Sequence, residues 1–356
     1  MKILTVIGNR PQFIKAAAVS PRLRASHEEL LVHTGQHFDD SLSSVFFSEL
    51  GLPAPELELG IALGSNTSQT ARMLGALEPV VRDGSPDVVL VYGDTNSTLA
   101  GALAGAQAGV PVAHVEAGMR SFDRSMPEEL NRVLVDHASS LLLCSSSVAV
   151  ANLEREGVTG ATEVVGDVMV DVALNVQPRA RSRVDLLAAR GLAPGEYLLA
   201  TAHRAGNVDD PARLRLLVEL LCNMTLTVLF TIHPRTRRRL DERDLLGRLE
   251  SCGSVITAPP LGYVETAALL CNARAVLTDS GGLQKEAYLA KVPCVTLRAT
   301  TEWTETVESG WNTLVDLDAE AALQALESQP PREHPALYGD GHAGERVLDA
   351  LRLHVG

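Results

Sequence analysis

The stretch Leu277-Thr278-Asp279-Ser280-Gly281-Gly282-Leu283-Gln284-Lys285-Glu286-Ala287 decides how this chain is read. Arg274 to Thr278 is an apolar strand, Ser280-Gly281-Gly282 is a turn, and the residues that follow read as helix. That order brings unpaired backbone N–H groups and the positive end of a helix to the carboxyl edge of a strand, which suits a phosphate. Glu286 then lies close enough to reach a sugar hydroxyl attached to that phosphate. An ordinary β-α packing turn also accommodates this sequence, because short glycine turns serve packing alone in many domains.

Outward from this turn, the same alternation fills the chain. Its 356 residues exceed what one core usually serves, so two domains are expected. Hydrophobic residues make up 46 % and aromatics only 4 %, a balance rich in Ala, Leu and Val that suits buried parallel strands covered by helices. Short β-branched runs alternate with helical stretches, which predicts an α/β chain of two doubly wound, Rossmann-like units. Strands are expected near Lys2 to Ile7, Leu30 to His33, Val88 to Tyr92, Val112 to Glu116, Leu141 to Cys144 and Glu163 to Val165. In the second half they fall near Tyr197 to Thr201, Thr227 to Ile232, Ser254 to Thr257, Arg274 to Thr278 and Cys294 to Leu297. Asn175 to Gly195, with Pro178 and the Pro194-Gly195 turn, reads as the break between domains 1–174 and 175–340. A helix within 341–356 is expected to cross back to the first domain.

The net charge of −13 argues against nucleic acid as a partner, since phosphate-backbone binding needs a basic surface. No apolar run approaches the roughly 18 to 20 residues of a membrane span. The N-terminus becomes polar too early for a signal peptide. Cys144, Cys222, Cys252, Cys271 and Cys294 are scattered, with no C-x-x-C pair, and read as small core hydrophobes in a reducing, cytoplasmic setting. Metal-ligand spacings, a G-x-S-x-G elbow and a G-x-G-x-x-G after the first strand are all missing, so neither a metal, a serine hydrolase nor a dinucleotide is indicated.

Polar residues gather in the loops that follow strands, where open α/β sheets bind ligands. Gly8-Asn9-Arg10-Pro11-Gln12 offers Arg10 as a phosphate clamp, with Lys15 one turn on; both could equally be surface charges. Asp94 follows one strand and reads as well as a helix N-cap. Glu116 ends the next, where a charge is costly unless paired or used. Glu128 and Glu129 open a helix and suit its dipole. Thr201-Ala202-His203-Arg204 and Ile232-His233-Pro234 follow strands of the second half, and His203 beside Arg204 could meet a pyrophosphate. The residues together describe a cleft between two domains that would fit a nucleotide-sugar.

These motifs resemble the non-hydrolysing UDP-N-acetylglucosamine 2-epimerases along nearly the whole chain. Gly8-Asn9-Arg10-Pro11, Gly93-Asp94-Thr95, His114-Val115-Glu116-Ala117-Gly118, Pro127-Glu128-Glu129 with Asn131-Arg132, Ala202-His203-Arg204, Asp279-Ser280-Gly281-Gly282 and Tyr338-Gly339-Asp340-Gly341 carry the likeness. The resemblance implies a glycosyltransferase-B-like fold with UDP held chiefly by the second domain, and a homodimer. It implies Asp94, Glu116 and Glu128 as acid/base carboxylates and His203 as their helper at the diphosphate. Arg10, Lys15, Arg204, His233, Ser280, Gly281, Gly282 and Glu286 would bind UDP, and no cofactor would be needed. The implied reaction is inversion at C2 through a 2-acetamidoglucal; a hydrolysing relative, a glycosyltransferase or a silent binder shares much of the pattern. Gln36, His37 and Arg72 match an activator site for a second UDP-N-acetylglucosamine, although Phe38-Asp39-Asp40 departs from the usual run. Two further departures are present. Gly206 replaces an acidic residue in the His-Arg-x-Glu-Asn run, a loop change that need not abolish activity, and Thr301-Glu302-Trp303-Thr304-Glu305 resembles enzymes acting on modified sugars such as 2,3-diacetamido uronic acid nucleotides as well as some ordinary epimerases, which leaves the substrate open.

Overall fold

A computed structural model describes residues 1–36, 49–124 and 126–356 of the chain. They divide into two compact units, Met1–Val172 with Tyr338–Gly356, and Ala173–Leu337. The first contains a parallel sheet in the order β3-β2-β1-β4-β5-β6-β7. Its strands are β1 Lys2–Ile7, β2 Glu28–His33, β3 Leu57–Glu58, β4 Val88–Tyr92, β5 Val112–Ala117, β6 Leu141–Cys144 and β7 Ala161–Val164. The second contains β8 Tyr197–Thr201, β9 Thr227–Thr231, β10 Val255–Ala258, β11 Ala275–Thr278, β12 Cys294–Thr296 and β13 Asn312–Leu314, in the order β10-β9-β8-β11-β12-β13.

The central strands are apolar throughout because helices cover both faces of a parallel sheet. Val88, Val89, Leu90, Val91 and Tyr92 are all fully buried, as are Leu198, Leu199 and Ala200. In each sheet the strand order reverses once, between β1 and β4 and between β8 and β11. The loops that leave those four strands diverge above the sheet, and the gap between them is where such folds bind ligands.

Every expected strand is present, with ends displaced by at most two residues. The edge strands β3 and β13 escape a sequence reading, since two or three residues cannot display a period. Much of 175–195 is helical rather than broken: Val168–Ser182 continues through Pro178, and Val184–Ala188 follows. Pro178 removes only its own N–H from the helix. Burial of Val168, Val172, Val176 and Ala180 along the same helix offsets that loss.

The chain ends in the helix Ala343–His354, which packs on Arg10–Arg24 of the same unit. The buried Asp171 carboxylate accepts hydrogen bonds from Ala343 N at 3.0 Å and Gly344 N at 2.8 Å, capping the helix. A Cβ on Gly344 would stand 2.4 Å from the Ala18 carbonyl oxygen. Gly344→Val should therefore destabilise the protein by about 1–3 kcal/mol, seen as a lower denaturant midpoint. An unchanged midpoint would show that the two helices do not need this approach.

Candidate active site

In the first unit, the loop after β1 is tied to the end of β4 by Gln12, a residue to which sequence reasoning gave no role. Its Oε1 accepts from Gly8 N at 2.7 Å and its Nε2 donates to Tyr92 O at 2.8 Å. Asn9 caps the following helix by accepting from Gln12 N. Arg10 is thereby fixed as that helix's first residue, half-buried. Lys15, one turn later, is no surface charge: it is mostly buried and forms an ion pair with Glu116.

Glu116 has φ +75°, in the left-handed region, and the pairing of β5 with β6 slips between Val115 and Ala117. Such a backbone costs a glutamate roughly 1–3 kcal/mol and persists only where its surroundings hold it. The hold is visible. His114, fully buried, presents Nδ1 to Asp136 Oδ1 and Nε2 to Gly93 O, both at 2.7 Å. Asp136, also fully buried, accepts from Gly118 N at 3.1 Å and Arg120 Nη1 at 2.7 Å. Both flanks of Glu116 and the residue before Asp94 are therefore pinned to one network. Burial alone would raise the Asp136 carboxyl, but the His114 hydrogen bond, then the charges of His114 and Arg120, hold it below the usual Asp range.

Asp94 is not the N-cap of its helix. Thr95 takes that place, accepting from Thr98 N, and the Asp94 carboxylate meets Arg132 instead. Arg132 also reaches Glu129 Oε2 at 2.9 Å. Of the adjacent glutamates, Glu129 is buried, accepting from Ser121 N, Ser121 Oγ and Phe122 N, whereas Glu128 is exposed. The structure thus gathers Lys15, Glu116, Asp94 and Arg132 around Gly93, with Glu128 at the head of the helix that bears Arg132. Gln36 is joined to the same loops, its Oε1 accepting from Ser97 N and Ser97 Oγ. Arg72 is exposed and bonds to Leu63 O, and His37 lies outside the described residues.

The second unit repeats the device with a different buried carboxylate. Asp279, with no exposure, accepts from His203 N at 3.0 Å, Arg204 N at 3.0 Å and Asn207 Nδ2 at 3.1 Å. It thereby locks the loop after β8 to the loop after β11. Ser280 stands before the helix Gly281–Leu289 without a side-chain bond back to it, and its own N–H donates to Thr278 Oγ1 at 3.0 Å. A Cβ on Gly281 would lie 2.0 Å from Glu302 Oε1, so that carboxylate would have to shift to admit a side chain. His203 and His233 lie side by side, ring centroids 5.5 Å apart. Burial holds both imidazoles below their ordinary value; Asp279 raises His203 again, and Arg204 and Arg235 lower it further. At neutral pH His203 is therefore a neutral hydrogen-bonding group. Glu286 lines a small, largely apolar pocket with Tyr263, Leu270 and Cys271.

Asp136→Asn would take from the buried Arg120 guanidinium one of its two carboxylate partners, at a cost of about 3–5 kcal/mol near pH 7 in a denaturant titration. The pH dependence has a defined sign. An unfolded Asp titrates near 4, roughly, and the folded one below that, so within this window the unfolded chain binds a proton that the folded chain refuses. Stability then falls as pH falls. That decline should be steeper in the wild type than in Asp136→Asn, and parallel declines would refute the charged role of Asp136.

Residues 22–352 match the family model described as UDP-N-acetylglucosamine 2-epimerase. The chain is 44 % identical, over 99 % of both sequences, to a UDP-N-acetylglucosamine 2-epimerase homolog of Methanococcus maripaludis. It is 46 % identical, again over 99 % of both, to the UDP-2,3-diacetamido-2,3-dideoxy-D-glucuronate 2-epimerase of Pseudomonas aeruginosa. It is also similar to the crystal structure of Methanocaldococcus jannaschii UDP-GlcNAc 2-epimerase in complex with UDP-GlcNAc and UDP. There the TM-score is 0.89 at 41 % identity, covering 99 % of this chain and 100 % of the other.

Proposed function

Because the chain belongs to the UDP-N-acetylglucosamine 2-epimerase family, with its glycosyltransferase-B-like fold, we propose that it inverts C2 of UDP-N-acetylglucosamine without hydrolysing it. The observation that carries this reading is Glu116, kept in a strained backbone beside Lys15 and next to the loop of Asp94. A fold tolerates such strain where a carboxylate has work to do.

The reaction is redox-neutral. A carboxylate takes the C2 proton while the bond from C1 to the diphosphate oxygen breaks, and its electrons leave with UDP. The remaining 2-acetamidoglucal then regains a proton on the opposite face of C2, and the UDP oxygen attacks C1 again. The C2 proton is barely acidic, so the step depends on positive charge developing at the ring as UDP departs, which nearby carboxylates stabilise. Asp94, Glu116 and Glu128 are the groups that move protons. The Ser280-Gly281-Gly282 turn, with Arg10 and neutral His203, holds the diphosphate. Glu286 holds the ribose.

Incubation with UDP-N-acetylglucosamine in deuterated water, followed by NMR, tests this directly. Deuterium at C2 with the diphosphate bond intact is expected; free N-acetylmannosamine would make the enzyme hydrolysing, and no exchange would remove both readings for this substrate. Asp94→Asn, Glu116→Gln and Glu128→Gln should each lower turnover by about 100-fold or more while leaving UDP affinity nearly unchanged. Arg10→Ala should do the reverse, weakening UDP binding; an unaltered dissociation constant would withdraw its role. A second reading, epimerisation of a 2,3-diacetamido uronic acid nucleotide, is favoured by Trp303 in its loop and by the likeness to the Pseudomonas aeruginosa enzyme.

A further inference from the structure

Of the five cysteines, Cys144, Cys271 and Cys294 are buried, as small core residues should be, but Cys222 and Cys252 are only partly buried and share one corner of the second unit. Cys222 ends the helix Pro211–Cys222, and Cys252 lies in the turn just before β10. We propose that this pair is an oxidative modification site: a hydroperoxide oxidises Cys252, and Cys222 resolves the product to an intramolecular disulfide. Nothing in this depends on the nucleotide-sugar reading above.

The sheet brings the two residues together. Val228 N donates to Ser254 O at 2.7 Å where β10 enters beside β9, and this sets the turn that carries Cys252 against the end of the helix that leads into β9. The Cys252 thiol donates to Cys222 O at 3.6 Å, and Ser254 Oγ donates to the same carbonyl at 3.4 Å. The two thiols also interact directly with each other. The sulfurs are thus neighbours across a sequence gap that only folding closes.

Their surroundings differ in the way such a pair needs. Ser254 Oγ stands 3.3 Å from Cys252 Sγ. That hydroxyl first, then the Cys222 thiol, the Ser254 amide and the Arg248 charge, hold the Cys252 thiol below its ordinary value against the opposing effect of partial burial. Thiolate is the form that attacks. Burial instead pushes the Cys222 thiol up to about 12, and those of Cys144, Cys271 and Cys294 to about 12, 11 and 12. An accessible, readily ionised cysteine beside a second one is the arrangement that peroxides oxidise selectively. The Cys252 thiolate attacks one oxygen of hydrogen peroxide, the O–O bond breaks, and the departing hydroxide takes a proton to become water. Cys252 is then a sulfenic acid, oxidised by two electrons as the peroxide is reduced. Next the Cys222 sulfur attacks the Cys252 sulfur; the S–S bond forms, the S–O bond breaks, and the hydroxyl leaves with the Cys222 proton as a second water. Both residues lie at the amino ends of their strands, opposite the loops that follow β8 and β11, so this site is separate from the candidate active site.

Fully reduced wild-type protein treated with an equimolar amount of hydrogen peroxide should lose two of its five thiols and yield a Cys222–Cys252 disulfide peptide on non-reducing peptide mapping. In the untreated protein, iodoacetamide at neutral pH should label Cys252 at least about tenfold faster than any other cysteine. Cys222→Ser should stop at a sulfenic acid on Cys252, captured by dimedone, and Cys252→Ser should keep its remaining thiols under the same treatment. Equal labelling of Cys222 and Cys252 would overturn the proposal. So would a disulfide that links any other pair or two copies of the chain, or a Cys252 that stays a thiol in the presence of peroxide. The two wild-type measurements decide the matter even where a variant fails to fold. Neither involves UDP or turnover, so a protein without C2 exchange would defeat the epimerase reading and leave the thiol pair to be judged by itself.

Discussion

Asp136 is a carboxylate closed off from water, tolerable there only because His114, Arg120 and the Gly118 amide converge on it. Removing any of these donors would leave charge stranded in a medium that stabilises it poorly. The energy at stake is therefore large, and the network spends it on geometry. His114 reaches across to Gly93, so the ends of β4 and β5 are held at a fixed spacing. Glu116 then has no freedom to relax its backbone, since Val115 is in the sheet and Gly118 is fastened to Asp136.

The second unit solves the same problem with Asp279, which ties two loops across its own switch point through backbone amides. The difference in donors suits the difference in ligand. Around Asp136 the donors are the His114 and Arg120 side chains and one backbone amide, that of Gly118, and the loop carries the carboxylates Asp94 and Glu116 nearby. Around Asp279 most donors are main-chain N–H groups, which leaves the Arg204 side chain lining a pocket with Asn207 and Arg298, and Ser280 puts no side-chain cap on the helix that follows. In our reading a buried anion lies beneath a turn that binds phosphate, which opposes binding electrostatically, and the hydrogen bonds to Asp279 keep that opposition small.

Much of the fold was legible because parallel strands announce themselves as short apolar runs, and Lys2–Ile7, Val88–Tyr92 and Leu141–Cys144 lie where those runs predict. What stayed hidden was short or non-local. β13 has three residues. The loop residues Arg10, Asp94, Glu116, His203 and Ser280 were readable from their positions after strands, and the structure puts each at such an end. Their supports were not readable. Asp136 sits within an amphipathic helix and is separated from His114 by 22 positions, so nothing local marks it as the keystone of the loops before it. Gln12 and Asp279 stand inside the motifs, yet their part as staples depends on partners up to 86 residues away. Glu128 and Glu129 show the converse: sequence treats neighbouring glutamates alike, and only packing makes one a buried acceptor.

The helix Ala343–His354 belongs to the first unit although 165 residues of the second, Ala173–Leu337, are inserted before it. A ribosome therefore delivers the contiguous second unit whole before the first receives its last piece. Until then the face of Arg10–Arg24 that Gly344 will approach is uncovered, and the Asp171 carboxylate awaits the amides it caps. Synthesis from the N-terminus would usually let the first domain finish first. Here the order is inverted, and the half that bears Asp94 and Glu116 is the last to be completed, after the half that receives the nucleotide in our reading.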